Sequence, residues 1–503
     1  MNGRTDETRT SLQGASSAKT VFSLKAAVVL LSAAYFVYLA GEFVTSFQSP
    51  LFIYSDDEWQ GVQITAAARV LDGKPLYPDF ASEGGYYVYA PLTPLLTALG
   101  FKVFGVSVAV VKVLALAAFL FALAGVAWAS YGLSASKFAA LLAAGIFAAT
   151  YRFLIAWHIN VRPDVFAAAF AVWGVVFAAR HYGGRRGPGS TVLAGLFFTL
   201  AALSKQNYAI LLAAWLAWLF VSAGPRRAVL AALPALVLGG AALVWFDARG
   251  EHLVAAMVVM GGHPMKPASI FLEFLAKDFV IIAVPVFLSL AGLAALWRRE
   301  GPPGARGFWL VIYAAAFLVG LLPYMKFGGR NNAFYLFSAM MSVAAAYGVS
   351  TLAARRDRAA LPAVLLAPVL FLGIEFAASF SFDASLPIAP HLQPVFRFAQ
   401  KHKSQRVYFP TRNYITYLAS GQYYPDDNFT WDRSLSGLKP PANVVRMVEE
   451  QYFDYIIKGF TTGEMNAVLD AHYRPDPSLQ LGEYPVYVPS RGTPPHEVPD
   501  ERP

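Results

Sequence analysis

Apolar residues fill the chain in long stretches from about residue 26 to residue 380, and polar positions gather between the stretches rather than alternating with them. About 20 apolar residues in a helix cross a hydrocarbon core of roughly 30 Å. The pattern predicts eleven such spans, at 26–47, 107–129, 138–156, 164–181, 191–204, 207–222, 228–246, 279–297, 308–325, 333–353 and 360–380. The pair flanking Lys205 is short, as is tolerated where irregular backbone lines a cavity. The alternation of a β-barrel is absent from the sequence, so the expected fold class is a polytopic α-helical membrane protein of about 11 transmembrane helices. The first apolar run is too long for a signal-peptide core of ~7–15 residues and reads as an uncleaved anchor behind a polar N-terminal segment, 1–25.

Within the transmembrane domain, 26–380, two long interruptions are expected to be loops, 49–105 and 247–278. In the first, Glu58 to Leu71 predicts a helix on the membrane surface, with Ile64, Ala67, Ala68 and Leu71 on one side. Residues 381–489 are polar and aromatic-rich and predict a small α/β domain. Its strands are expected at 406–409, 455–457 and 484–488, and a helix at 444–451. The Pro-rich tail 490–503 is expected to be disordered.

Composition changes little in this picture. Of 503 residues, 57% are hydrophobic and 14% charged, against about 25% charged in a soluble domain. The net charge of +9 does not call for nucleic acid, because the loops explain it. Arg180, Arg185, Arg186, Arg226, Arg227, Arg298, Arg299, Arg306, Arg355, Arg356 and Arg358 fall in one set of alternate loops. Cations mark the cytoplasmic side, so the N-terminus is placed there, in a multi-pass inner (plasma) membrane protein. The first loop and the C-terminal domain then lie on the extracytoplasmic side. With no cysteine, disulfides and Cys-ligated metals are excluded.

Candidate chemistry sits on the external side. Asp56, Asp57 and Glu58 follow the first span; they either cap the helix that starts near Trp59 or supply a general base. Arg162, Lys205, Lys326 and Arg330 break the charge rule, and together they suit an anionic group such as a lipid phosphate. In Lys326–Asn332, two glycines let backbone amides approach an anion, and Asn331 adds a donor. The Gln206-Asn207 amides next to Lys205 are either donors to a ligand or structural caps. Asp164 is accounted for by the helix N-terminus it opens and is otherwise a possible second acid. A divalent metal is possible at Asp57 and His263, although H-x-x-x-H and H-E-x-x-H spacings are absent. No other cofactor is indicated, and no P-loop occurs.

Asp56-Asp57-Glu58, the Leu71–Asp79 stretch, Tyr89-Ala90-Pro91-Leu92 and Phe104-Gly105 resemble the first external loop of GT-C glycosyltransferases. The bacterial members related to protein O-mannosyltransferases and lipid A aminoarabinose transferases are the more specific likeness. Arg162-Pro163-Asp164, Leu203–Asn207 and Gly328–Asn332 are similar to later patterns in these proteins. The resemblance implies transfer of a sugar from a polyprenyl-phosphate-linked donor to an acceptor (protein, polysaccharide or lipid) on the external, periplasmic face, with inversion. It also implies Asp57, or the neighbouring Asp56, as base. The alternative is a transporter or flippase of a lipid-linked or anionic solute, but the internal repeats common in transporters are not seen. Membrane lipids are partners on either reading.

Overall fold

The computed structural model describes residues 4–48, 51, 57–79, 84–85, 87–156, 158, 161–182, 187–259, 262–298, 303–354, 361–385 and 392–491. Among these, nine helices are long and apolar enough to cross a membrane. The remaining two of the eleven expected spans coincide with shorter helices, Lys137–Ala149 and Pro188–Ser204. Lys137–Ala149 has 13 residues, about 20 Å of helix. It stops short of residue 156 because the chain turns after Thr150, with Ile155 and Ala156 both at positive φ. A third short apolar helix, Leu92–Phe104, lies in the first loop, where no span was expected. The first helix starts at Arg4, well ahead of its apolar run, and its candidate span lies within Lys19–Phe47.

The bundle is organised around Tyr335–Ala354, in which every residue from Tyr335 to Val349 is buried. It packs on Lys137–Ala149, Ala283–Arg298 and Pro303–Tyr324. Small residues permit the close approach: a Cβ on Gly292 would stand 2.0 Å from the Ala344 carbonyl oxygen. Lipid gives helices no hydrophobic reason to associate, so such small-residue seams carry the packing.

Asp57–Leu71 is a helix, as expected, but the face expected to meet a membrane surface is largely buried in protein. Ile64, Ala67 and Ala68 are buried while Leu71 is partly exposed. The helix is held between Leu92–Phe104 and the C-terminal Asn413–Ser420 helix. Gly61 makes room for the Tyr414 ring, which a Cβ would meet at 2.1 Å.

Residues 392–491 carry a four-stranded sheet of β1 (Val407–Tyr408), β2 (Tyr455–Ile457), β3 (Tyr473–Leu481) and β4 (Tyr484–Pro489), in the order β1-β2-β4-β3. β1 and β2 are parallel, and the other pairs are antiparallel. The helix Ala442–Glu449 falls where a helix was expected. β3 was not expected, since Pro475 and Pro477 argue against a strand; at the sheet edge their missing donors are tolerated. This region shares a core with the rest of the chain, in which Val407, Phe409, Tyr414 and Val486 join Ile64, Ala67, Phe101 and Val111. Most of the tail, 492–503, lies outside the described residues.

Candidate active site

A cavity of about 490 Å³ opens where the inter-helix turns meet the two long loops and the C-terminal region. Arg162, Lys205, Lys326 and Arg330 all stand on its wall. They come from three turns far apart in sequence: the one before Pro163–Tyr182, the one between Pro188–Ser204 and Ala209–Ala223, and the one between Pro303–Tyr324 and Tyr335–Ala354. Trp59 and Tyr89 of the first loop, His263 and Met265 of the second, and Trp431 and Asp432 of the C-terminal region complete the wall.

Each cation is placed by particular partners. The Arg162 guanidinium lies 5.7 Å from the Trp59 ring centre, and the Lys205 ammonium 5.5 Å from that of Tyr89. Both are cation–π distances. Lys205 also donates to Asp164 Oδ1 at 2.6 Å, and Asn332 Nδ2 donates to the same oxygen at 3.1 Å. Gln206 bonds both ways to the Tyr89 segment, through Val88 O and Ala90 N, and Asn207 donates to Val319 O. Neither side chain caps a helix end, and both residues also line the cavity.

The Lys326–Arg330 turn is set by the second loop. Met265 and Lys326 form an antiparallel bridge, Phe327 N donates to Pro264 O, and Lys266 Nζ donates to Gly329 O at 2.7 Å. Gly329 has no room for a side chain, since a Cβ would lie 2.1 Å from Pro323 O. Its amide is spent on Lys326 O, so the turn is not an open anion nest at that position. Burial, and then the Arg330 charge, pull the Lys266 ammonium down from its ordinary range.

The other expected site residues divide. Asp56 lies outside the described residues, as do the side chains of Asp57 and Glu58, whose backbone forms the first turn of Asp57–Leu71. The cavity-lining Trp59 follows in that same turn. Asp164 is not on the cavity wall, and Lys205 and Asn332 occupy its Oδ1. Asn331 was expected at the donor site but bonds to Asp278, and Asn332 takes the place on the wall. The pair opens a short 3-10 turn, where neighbouring side chains diverge. His263 is buried on the wall, with Nδ1 at 3.2 Å from Phe327 O and Nε2 at 3.4 Å from Asp432 Oδ1. Among the described residues no group of three His, Asp or Glu is arranged to hold a metal.

Asp432 and Trp431 were not anticipated. The signal was present in the run Asp426-Asp427-Asn428-Phe429-Thr430-Trp431-Asp432, dense in carboxylates and rings within an aromatic-rich region. Asp426 caps the helix Asp427–Leu435 by accepting from Asn428 N, which buries this run and turns Asp432 inward. Burial, and then the Asp426 carboxylate, push the Asp432 carboxyl well above the ordinary range, against the pull of Arg162. Burial lowers the His263 imidazole. Both shifts favour a neutral pair.

Comparison with known proteins bears on this arrangement. Residues 88–248 match the family model described as dolichyl-phosphate-mannose-protein mannosyltransferase. The structure is similar to that of ArnT from Cupriavidus metallidurans bound to undecaprenyl phosphate. That match has a TM-score of 0.60 at 12% identity, covering 92% of this chain and 97% of that one. It is also similar to the archaeal oligosaccharyltransferase AglB from Archaeoglobus fulgidus, in complex with an inhibitory peptide and a dolichol-phosphate. There the TM-score is 0.54 at 14% identity, over 95% of this chain and 75% of that one. A third likeness is to the mycobacterial arabinofuranosyltransferase AftD, with a TM-score of 0.52 at 15% identity, over 93% and 41% of the two chains. No curated protein matches significantly in sequence. The chain shares the fold of these solved structures.

Proposed function

We propose that the protein is an inverting glycosyltransferase that moves a sugar from a polyprenyl-phosphate-linked donor to an acceptor on the extracytoplasmic face of the membrane. The observation that carries this is the convergence of Arg162, Lys205, Lys326 and Arg330 on one cavity. Cations are costly at a membrane boundary and are kept where a ligand uses them. Four of them suit a phosphate whose negative charge grows as it departs. The match of residues 88–248 to the dolichyl-phosphate-mannose-protein mannosyltransferase family model supports a lipid-phosphate-linked donor.

In the proposed reaction the acceptor nucleophile attacks the anomeric carbon from the face opposite the phosphate. The bond between that carbon and the phosphate oxygen breaks, and polyprenyl phosphate leaves with both bonding electrons. The nucleophile's proton passes to a first-loop carboxylate, for which Asp57 is our assignment, with Asp56 or Glu58 as the neighbouring alternatives. The external cations stabilise the departing phosphate, which is preorganised electrostatic catalysis. Keeping the carrier in the bilayer while its head enters the cavity explains why the catalyst is a membrane protein.

The test is binding of polyprenyl phosphate to the purified protein, wild type against a Lys326→Ala/Arg330→Ala double variant. Saturable binding that the variant loses supports the donor site. Absence of binding by folded wild type returns weight to a transporter.

A further inference from the structure

On the wall that carries Arg162, three buried polar atoms have no hydrogen-bond partner among the described residues: His263 Nε2 and both carboxyl oxygens of Asp432. The two side chains are 2% and 1% exposed, and both line the cavity. Their closest atoms, His263 Nε2 and Asp432 Oδ1, are 3.4 Å apart, too long for a good hydrogen bond. Buried polar groups are nearly always satisfied, so such a cluster on a cavity wall marks where a ligand's own polar groups go. Water fills such a place in the absence of ligand, and a sugar hydroxyl can replace it.

The surroundings fit a sugar ring. Trp431 meets Trp59 edge to face at 5.8 Å and the His263 ring at 6.4 Å, giving an apolar wall beside the polar atoms. A ring with one C–H face and a rim of hydroxyls needs that combination of an apolar lining and a few convergent polar groups. Arg162 is close enough for its charge to act on the Asp432 carboxyl, so this wall adjoins the cation cluster. A sugar bonded directly to a phosphate lies beside it.

We infer that His263, Asp432 and Trp431 form the subsite for the donor's sugar, with the His263–Asp432 pair bonding its hydroxyls. This rests on the lipid-linked donor proposed above. The C-terminal region then acts on the donor as well as closing the cavity, and residues 431–432 help decide which sugar is accepted. A neutral carboxyl and a neutral imidazole can each donate and accept, which matches a hydroxyl better than a charged pair does.

The experiment compares binding of polyprenyl phosphate with that of its mannose, glucose and arabinose esters, in wild type, Asp432→Leu and Trp431→Leu. Wild type is expected to hold at least one ester about tenfold or more tighter than the bare carrier. Each variant should bring that ester to within about threefold of the bare carrier while binding the bare carrier within about twofold of wild type. Preference for an ester that survives in both variants overturns the subsite, and so does a wild type that prefers none of the three. Equal loss of ester and bare carrier makes these residues structural and overturns it too. Failure of folded wild type to bind bare polyprenyl phosphate is a different result, which removes the donor reading underneath.

Discussion

Lys205 and Asp164 form a buried ion pair, Nζ to Oδ1 at 2.6 Å, across the ends of two helices. Asn332 completes it from a third helix. The pair fixes where one of the four cavity cations stands. Removing one partner of a buried pair leaves the other uncompensated and costs about 3–5 kcal/mol. Asp164→Ala should therefore lower stability by about that much. Asp164→Ala combined with Lys205→Met should be less damaging than Asp164→Ala alone. Thermal unfolding in one detergent, wild type against the single and double variants, checks both expectations.

Arg330→Ala should weaken polyprenyl phosphate binding by about tenfold or more, since a hydrogen bond to a charged group contributes about 1.5–3 kcal/mol. Thermal stability should move far less than in Asp164→Ala. Titration of the lipid against both variants, with unfolding measured in parallel, separates a ligand cation from a structural one.

Gly329→Ala should cost more than its one methyl group suggests. The Cβ would stand 2.1 Å from Pro323 O, so the turn must shift and take Lys326 and Arg330 with it. We expect loss of most lipid binding. Gly41→Ala, which meets nothing within 4 Å, should leave binding and stability unchanged. Retained affinity in Gly329→Ala would show that the turn has room to yield.

Asp432 should make stability depend on pH. Its folded pKa is raised by burial and by Asp426, so above the ordinary carboxylate range the unfolded chain has lost a proton that the folded chain keeps. Stability from this group is thus present at low pH and is lost as pH rises towards the folded value. Asp432→Asn removes the dependence, so its melting temperature should gain on wild type as pH rises from about 4 upward. Parallel melting curves across that range would mean that Asp432 ionises normally.

Asp57→Asn should lower turnover by about 10²–10⁴-fold if that carboxylate accepts the proton, with carrier binding little changed. Single-turnover transfer, once a sugar ester has been found, is the measurement. Unchanged turnover would remove Asp57 as the base.

Much of the architecture was legible because lipid imposes a simple code of long apolar runs, beside which the charge rule set an expectation of sidedness. The four cations that broke that rule meet in one cavity, although Lys205 and Lys326 are remote in sequence. Register within a turn was less legible. Asn331 and Asn332 are chemically identical, and only the 3-10 geometry decides which faces the wall. The burial of Asp57–Leu71 was hidden because its alanines suit a membrane surface and a protein groove equally. What separates the two is Tyr414, contributed from far along the chain. Asp432 escaped notice for a similar reason: a lone carboxylate in a polar stretch looks solvated until the fold buries it.

That distance in sequence has a consequence for how the protein is made. Tyr414 lies over Gly61 and donates to Leu51 O, while Asn443 accepts from Gly84 N. The helix that begins at Asp57 therefore waits for residues synthesised more than 340 positions later before its groove is complete. A chain arrested before residue 413 lacks the partner that fits Gly61. Trp431 and Asp432 of the cavity wall come later still, so the cavity itself is finished only after translation has passed this point.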